Sequence, residues 1–119
     1  MLGGEPVQIS EVTQVIRHIV FFSARDSEQI EAIRAGLSLL TASPYAQRLE
    51  IGTNIKTDAL GSEVDLVVYG EFADEAALVA YKADPLYQRS IDIVRPLREI
   101  RMAADYDADS ALQAPVKRD

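Results

Sequence analysis

The chain contains no cysteine. That removes disulfide scaffolds, thiol nucleophiles, and zinc or iron–sulfur centres built on thiolates. It leaves the compartment open, because a chain without thiols suits either redox environment. Positive charge is also scarce. Twelve Lys and Arg stand against 19 Asp and Glu, for a formal net charge of −7 over 119 residues and a pI of about 4.6. A chain this acidic repels phosphate backbones and anionic lipid, so neither nucleic acid nor a membrane surface is an expected partner. Long apolar runs are missing too. Runs such as Ile19 to Phe22 are far short of the roughly 20 residues of a membrane span. The opening MLGGEPVQISEVTQ has no basic segment leading into an apolar one, which argues against a secretion signal. The expectation is a cytoplasmic protein. There is one histidine, and no phosphate-binding glycine loop, nucleophile elbow or metal-ligand cluster. No cofactor and no metal are expected.

Apolar residues make up 48 % of the chain, enough for one core in one domain. Residues 1–14 read as a loose arm, 15–107 as the folded domain and 108–119 as a polar tail. The segment 15–25, VIRHIVFFSAR, has strand composition and two apolar faces. One carries Ile16, His18, Val20 and Phe22; the other carries Val15, Ile19 and Phe21. Asp26 then caps a helix, with Gln29 placed to complete a capping box. Ile30, Ile33, Leu37 and Leu40 form its apolar stripe, and Pro44 ends it. Residues 48–56 alternate as a strand, with Leu49, Ile51, Thr53 and Ile55 on one face. Residues 64–72 form a third strand, with Val64, Leu66, Val68 and Phe72 opposite Val67 and Tyr69. Asp74 caps a second helix, and Asp84-Pro85 opens a short third one. Residues 98–107 alternate as a last strand with one polar face.

The order is β-α-β-β-α-β, a ferredoxin-like α+β arrangement with a four-stranded antiparallel sheet. In it the first and third strands are central and the others are edges. The two-faced apolar strands fall at the central positions, in agreement. Helices cover one sheet face only. The other keeps Val15, Ile19, Phe21, Val67 and Tyr69, a patch too apolar for a monomer. Covering five such side chains is worth on the order of 5–10 kcal/mol before association costs. A homodimer pairing sheet against sheet, a dimeric α/β barrel, is the expected solution, with Ile19, Phe21, Val67 and Tyr69 in the interface.

Two stretches, IRHIVFFSARD and VDLVVYGEFADEAALVAYKADPLYQRSIDIVRPL, resemble the Dabb family, the stress-responsive A/B barrel domain. Asp65, Phe72, Ala80, Tyr81, Pro85 and Arg95-Pro96 fall in register with its pattern, and MAADYD fits its last strand. The likeness spans roughly residues 15 to 107. It implies a dimeric α+β barrel. One plant member cyclises a polyketide by aldol chemistry without a cofactor, and related dimeric barrels include cofactor-independent monooxygenases. The family's His-Pro-x-His after the second helix is here Asp84-Pro85-Leu86-Tyr87. Tyr87 stands where that cyclase has a catalytic histidine, and Leu66 stands at or beside its mid-strand histidine. Only His18 is kept, which weighs against transferring cyclase activity.

The candidate site residues are His18, Tyr81 and Tyr87, placed to line a pocket between sheet and helices. His18 there is a base or a hydrogen-bond donor to a ligand, or a structural histidine held by one hydrogen bond. The tyrosines either point their hydroxyls into that pocket or pack their rings and leave the hydroxyls in water. Asp105, Asp107 and Asp109 mimic the start of a calcium loop, but Ser110 and Val116 occupy positions that need Gly and Glu. Arg95, Arg98 and Arg101 form a small basic cluster near Pro96, placed either to meet a carboxylate or, as the acidic composition favours, to pair with the surplus acids. Gly70 inside a strand marks a bulge or a close approach. The expected function is a dimeric small-ligand-binding or stability protein, taking a small apolar or aromatic molecule if any. The alternative is a cofactor-independent enzyme on small aromatic or polyketide-like substrates.

Overall fold

The computed structural model describes residues 15–115. The loose arm expected over residues 1–14 and the last four residues of the expected tail lie outside that range. Four strands form one sheet: β1 (Ile16–Ala24), β2 (Arg48–Thr53), β3 (Leu66–Phe72) and β4 (Arg98–Asp107). Its order is β2-β3-β1-β4, with every pairing antiparallel. The two strands read as apolar on both faces are the central ones. Three helices, α1 (Ile30–Ser38), α2 (Glu75–Ala83) and α3 (Pro85–Val94), complete the ferredoxin-like α+β fold. Ala108 is still buried, and its N–H bonds to the Val15 carbonyl at 2.8 Å.

The core lies between helices and sheet. Ile33, Leu37 and Leu40 from the predicted stripe pack on Val20, Phe22, Leu66, Val68 and Phe72. Gly36 lets α1 and α3 meet: a Cβ built there would lie 2.7 Å from Ile93 Cγ2 and 2.9 Å from Val94 Cγ2.

Two local expectations are corrected, and the alternatives for Gly70 are decided. A 3-10 turn over Ser27–Gln29 precedes α1, and Asp26 accepts from the Glu28 N–H within it. This tighter turn displaces the capping box; Gln29 makes no side-chain bond back to Asp26 among the described residues. Strand β2 stops at Thr53, and Ile55 is 81 % exposed. Asn54 ends the ladder there. Its side chain donates to Val64 O at 2.7 Å and accepts from Lys56 N at 2.9 Å, and Lys56 takes a left-handed φ of 57°. Gly70 lies in an unbulged strand and serves a close approach instead. A Cβ there would meet the Phe72 ring at 2.9 Å.

Strand β4 turns its apolar alternation away from the helices. Phe21 faces Met102, Ile19 faces Ala104 and Arg17 faces Tyr106 across the β1–β4 ladder. The open sheet face therefore runs from Val67 and Tyr69 through Ile19 and Phe21 to Met102 and Tyr106. Phe21 is 39 % and Met102 62 % exposed. Arg17 crosses this face to donate to the Tyr106 hydroxyl at 3.1 Å, and Tyr69 donates to Glu71 at 2.6 Å.

Candidate functional site

His18, Tyr81 and Tyr87 come together at one cavity of about 280 Å³ between sheet and helices. Two local causes bring them there. The pleat of β1 puts His18 on the helix side with Val20 and Phe22, and both of those wall the cavity. The Asp84-Pro85 corner sets the tyrosines. The Asp84 N–H bonds to the Tyr81 carbonyl at 3.3 Å, and its carboxylate caps α3 by accepting from Leu86 N at 2.9 Å. That turn brings the rings of Tyr81 and Tyr87 to 5.1 Å, edge to face. Leu37, Leu40, Val68, Ile91 and Val94 supply the remaining apolar wall, and Ser90 is buried beside them.

Within this wall His18 is 1 % exposed. Phe72 and Tyr81 hold its ring edge-on, at centroid distances of 6.2 and 6.1 Å. Gly70 pairs with His18 on β3. Lacking a side chain, it leaves the space that the Phe72 ring fills. On the other neighbour, β4, the residue opposite His18 is Asp105. His18 Nδ1 donates to Asp105 Oδ1 at 2.5 Å. A carboxylate only accepts, so Nδ1 carries the proton and Nε2 of the neutral ring is an acceptor. Burial pushes the imidazole below its ordinary pKa. The Asp105 bond and charge oppose that shift, while Lys82 and Arg101 add to it. The ring is neutral at pH 7. Burial pushes the Tyr81 phenol up, so it stays a neutral O–H.

One end of the cavity is cationic. Arg95, Arg98 and Arg101 all line it. The expectation that they pair with the surplus acids is corrected: among the described residues none of them bridges to a carboxylate. Arg101 donates to the Tyr87 hydroxyl at 3.2 Å, and Arg25 donates to the Arg98 carbonyl at 2.9 Å. The tyrosine hydroxyls thus differ. That of Tyr87 is held by Arg101, and that of Tyr81 has no hydrogen bond among the described residues.

Asp105 is the site residue that sequence reasoning did not assign. It drew attention only as part of an incomplete calcium motif. Among the described residues no cluster of three or more His, Asp or Glu could hold a metal ion. Its position four residues beyond Arg101, on the polar face of β4, was visible. Its partner depended on the β1–β4 register.

The chain matches the model of the Stress Responsive A/B Barrel Domain, Dabb, over residues 16–108. It belongs to that family. Solved structures agree on the fold. A dimeric ferredoxin-like protein of unknown function from Thermobifida fusca is 23 % identical, with a TM-score of 0.69, over 87 % of this chain and 99 % of that one. A Dabb family protein from Mesorhizobium loti is also 23 % identical, with a TM-score of 0.65, over 78 % and 95 %. A hydroxynitrile lyase from Passiflora edulis is 18 % identical, with a TM-score of 0.69, over 84 % and 98 %. No curated protein matches the chain significantly. Among the described residues no helix is long and apolar enough to cross a membrane.

Proposed function

We propose that this chain is a homodimeric small-molecule-binding protein, with its ligand seated against His18. The convergence of His18, Tyr81 and Tyr87 on one cavity of about 280 Å³ carries the reading. Such a volume, mostly apolar with a few convergent polar groups, is close to the lower end of ligand sites. It suits a molecule of about one substituted ring. The homodimer reading rests on the open sheet face, whose apolar run from Val67 to Met102 exceeds what monomers usually leave in water. It is supported by the neighbour from Thermobifida fusca, which is described as dimeric.

A second reading is favoured by one observation, the pairing of His18 with Asp105. A neutral imidazole held at Nδ1 by a carboxylate presents Nε2 as a proton acceptor. In a cofactor-independent enzyme it would take a proton from a small aromatic or polyketide-like substrate, and Asp105 would stabilise the imidazolium formed.

The test uses His18 as a reporter, since it is the sole histidine. Small phenols and aromatic acids are titrated while the imidazole Hε1 resonance is followed by NMR. A saturable shift, absent in variants that fill the cavity such as Ser90→Leu, supports the reading. No shift from any of them retires it.

A further inference from the structure

The cavity has a polarity that its ring-lined interior does not explain. The chain has seven more acids than bases, yet its cavity end gathers guanidinium groups. Arg95 comes from the end of α3, and Arg98 and Arg101 come from the start of β4. All three line the cavity. Arg25, beside them, uses its Nε on the Arg98 carbonyl. No carboxylate among the described residues bridges to any of the four. Spacing alone does not explain this: the strand that carries Arg98 and Arg101 also carries acids, at Glu99 and Asp105.

Like charges placed together without counter-ions lower stability, and folding gains nothing from them. Arg98 feels this directly. Burial, then the charges of Arg101, Arg95 and Arg25, push its pKa below the ordinary arginine value. The same cavity is lined by His18, Tyr81 and Val68, with His18 four positions along β1 from Phe22, the residue opposite Arg101. The two ends therefore ask for different chemistry in one molecule.

We infer that the site takes an amphipathic carboxylate, its ring or short alkyl body against His18 and Tyr81 and its carboxylate on Arg95, Arg98 and Arg101. A carboxylate suits these groups because two guanidinium N–H donors match its two oxygens in one plane. It also supplies the negative charge that the cluster lacks. Arg101 links the two ends, because the guanidinium that faces the carboxylate also holds the Tyr87 hydroxyl. This inference rests on the ligand-binding reading above and adds the ligand's charge and direction.

The experiment compares two probes of equal shape, 3-phenylpropanoate and 3-phenylpropanamide, on the full-length protein. Binding is read by calorimetry and by the His18 imidazole resonance. The expected result is that the carboxylate binds about tenfold or more tightly than the amide. The preference shrinks as salt rises. Arg98→Gln lowers affinity for the carboxylate about tenfold and leaves the amide unchanged. The same substitution raises the melting midpoint of the ligand-free protein, because it relieves repulsion. Arg95→Gln, at a position outside the sheet, should repeat the pattern if Arg98→Gln folds poorly. Equal affinity for the two probes overturns the inference and leaves the binding reading standing. Silence of His18 toward both, with no heat of binding, overturns both readings. A lower melting midpoint for both Arg→Gln variants also overturns the inference, since the cluster would then be a structural one.

Discussion

His18 and Asp105 lie 87 positions apart in sequence and 2.5 Å apart in space, because antiparallel pairing of β1 with β4 sets them opposite each other. This contact fixes the proton on Nδ1. It also makes the charge on the ring a contest between burial and the carboxylate, with Lys82 and Arg101 on the side of burial.

The ring's titration tests that balance. The folded pKa of His18 is below the ordinary value of about 6.5. Below about pH 6.5 the unfolded chain binds a proton that the folded one refuses, so stability falls as pH drops toward the folded pKa. Asp105→Asn removes the opposing charge and should lower the folded pKa further. NMR titration of Hε1 measures both values. A wild-type value above 6.5 would contradict the burial argument.

Asp65 titrates in the opposite sense. Burial alone would raise its pKa, but the Lys56 ammonium at 2.8 Å and the Ala24 N–H at 2.9 Å hold it below the usual aspartate range. Its stabilisation is present above about pH 3.9 and is lost as pH falls through the lower, folded value. Asp65→Asn should cost about 1–3 kcal/mol at pH 7. The gap to wild type should close in acid. Urea unfolding at several pH values reads it directly.

Gly36 is where α1 and α3 touch. Gly36→Ala would gain about 1 kcal/mol of helix propensity. The new methyl group would meet two branched side chains at 2.7 and 2.9 Å, those of Ile93 and Val94. Overpacking of about 1–3 kcal/mol should exceed the gain. The urea midpoint should fall with an unchanged slope, and Ile93→Ala in the same chain should recover part of the loss.

The open sheet face makes assembly measurable. Phe21→Glu puts a carboxylate in the middle of the proposed interface, opposite Val67 and Met102. Sedimentation should show a wild-type dimer at micromolar concentration and a monomeric or insoluble variant. A wild-type monomer would remove the homodimer from the account.

Much of the fold was legible because its signals are local. The stripe Ile30, Ile33, Leu37 and the caps Asp74 and Asp84 act within a turn or two of chain. The central strands were legible through their two apolar faces. The site was half legible by the same logic, since pleat and helix corner aim His18, Tyr81 and Tyr87 inward. Asp105 was not, because its role depends on the register between strands distant in the chain. The unpaired arginines escaped for a related reason. Composition counts acids, but only the fold shows which bases they reach among the described residues. Ile55 was misplaced because Asn54 stops the ladder with side-chain bonds that alternation does not reveal.

A single pleat separates the two faces of β4, and their contents are unlike. Arg101 lines the cavity and Asp105, on the same face, holds His18, while Met102, Ala104 and Tyr106 face outward. Sliding this strand by one residue would swap the two sets. The cavity would turn oily and the outer face charged in the same step. Alignment of β4 on β1 is thus a common clamp on recognition and assembly. That alignment is uniform from Ile16 to Phe22 and shifts before Ala24, where the buried Ser23 hydroxyl accepts the Ile100 N–H at 3.0 Å. In the proposed function, one ladder would therefore govern the ligand site and the sheet face together.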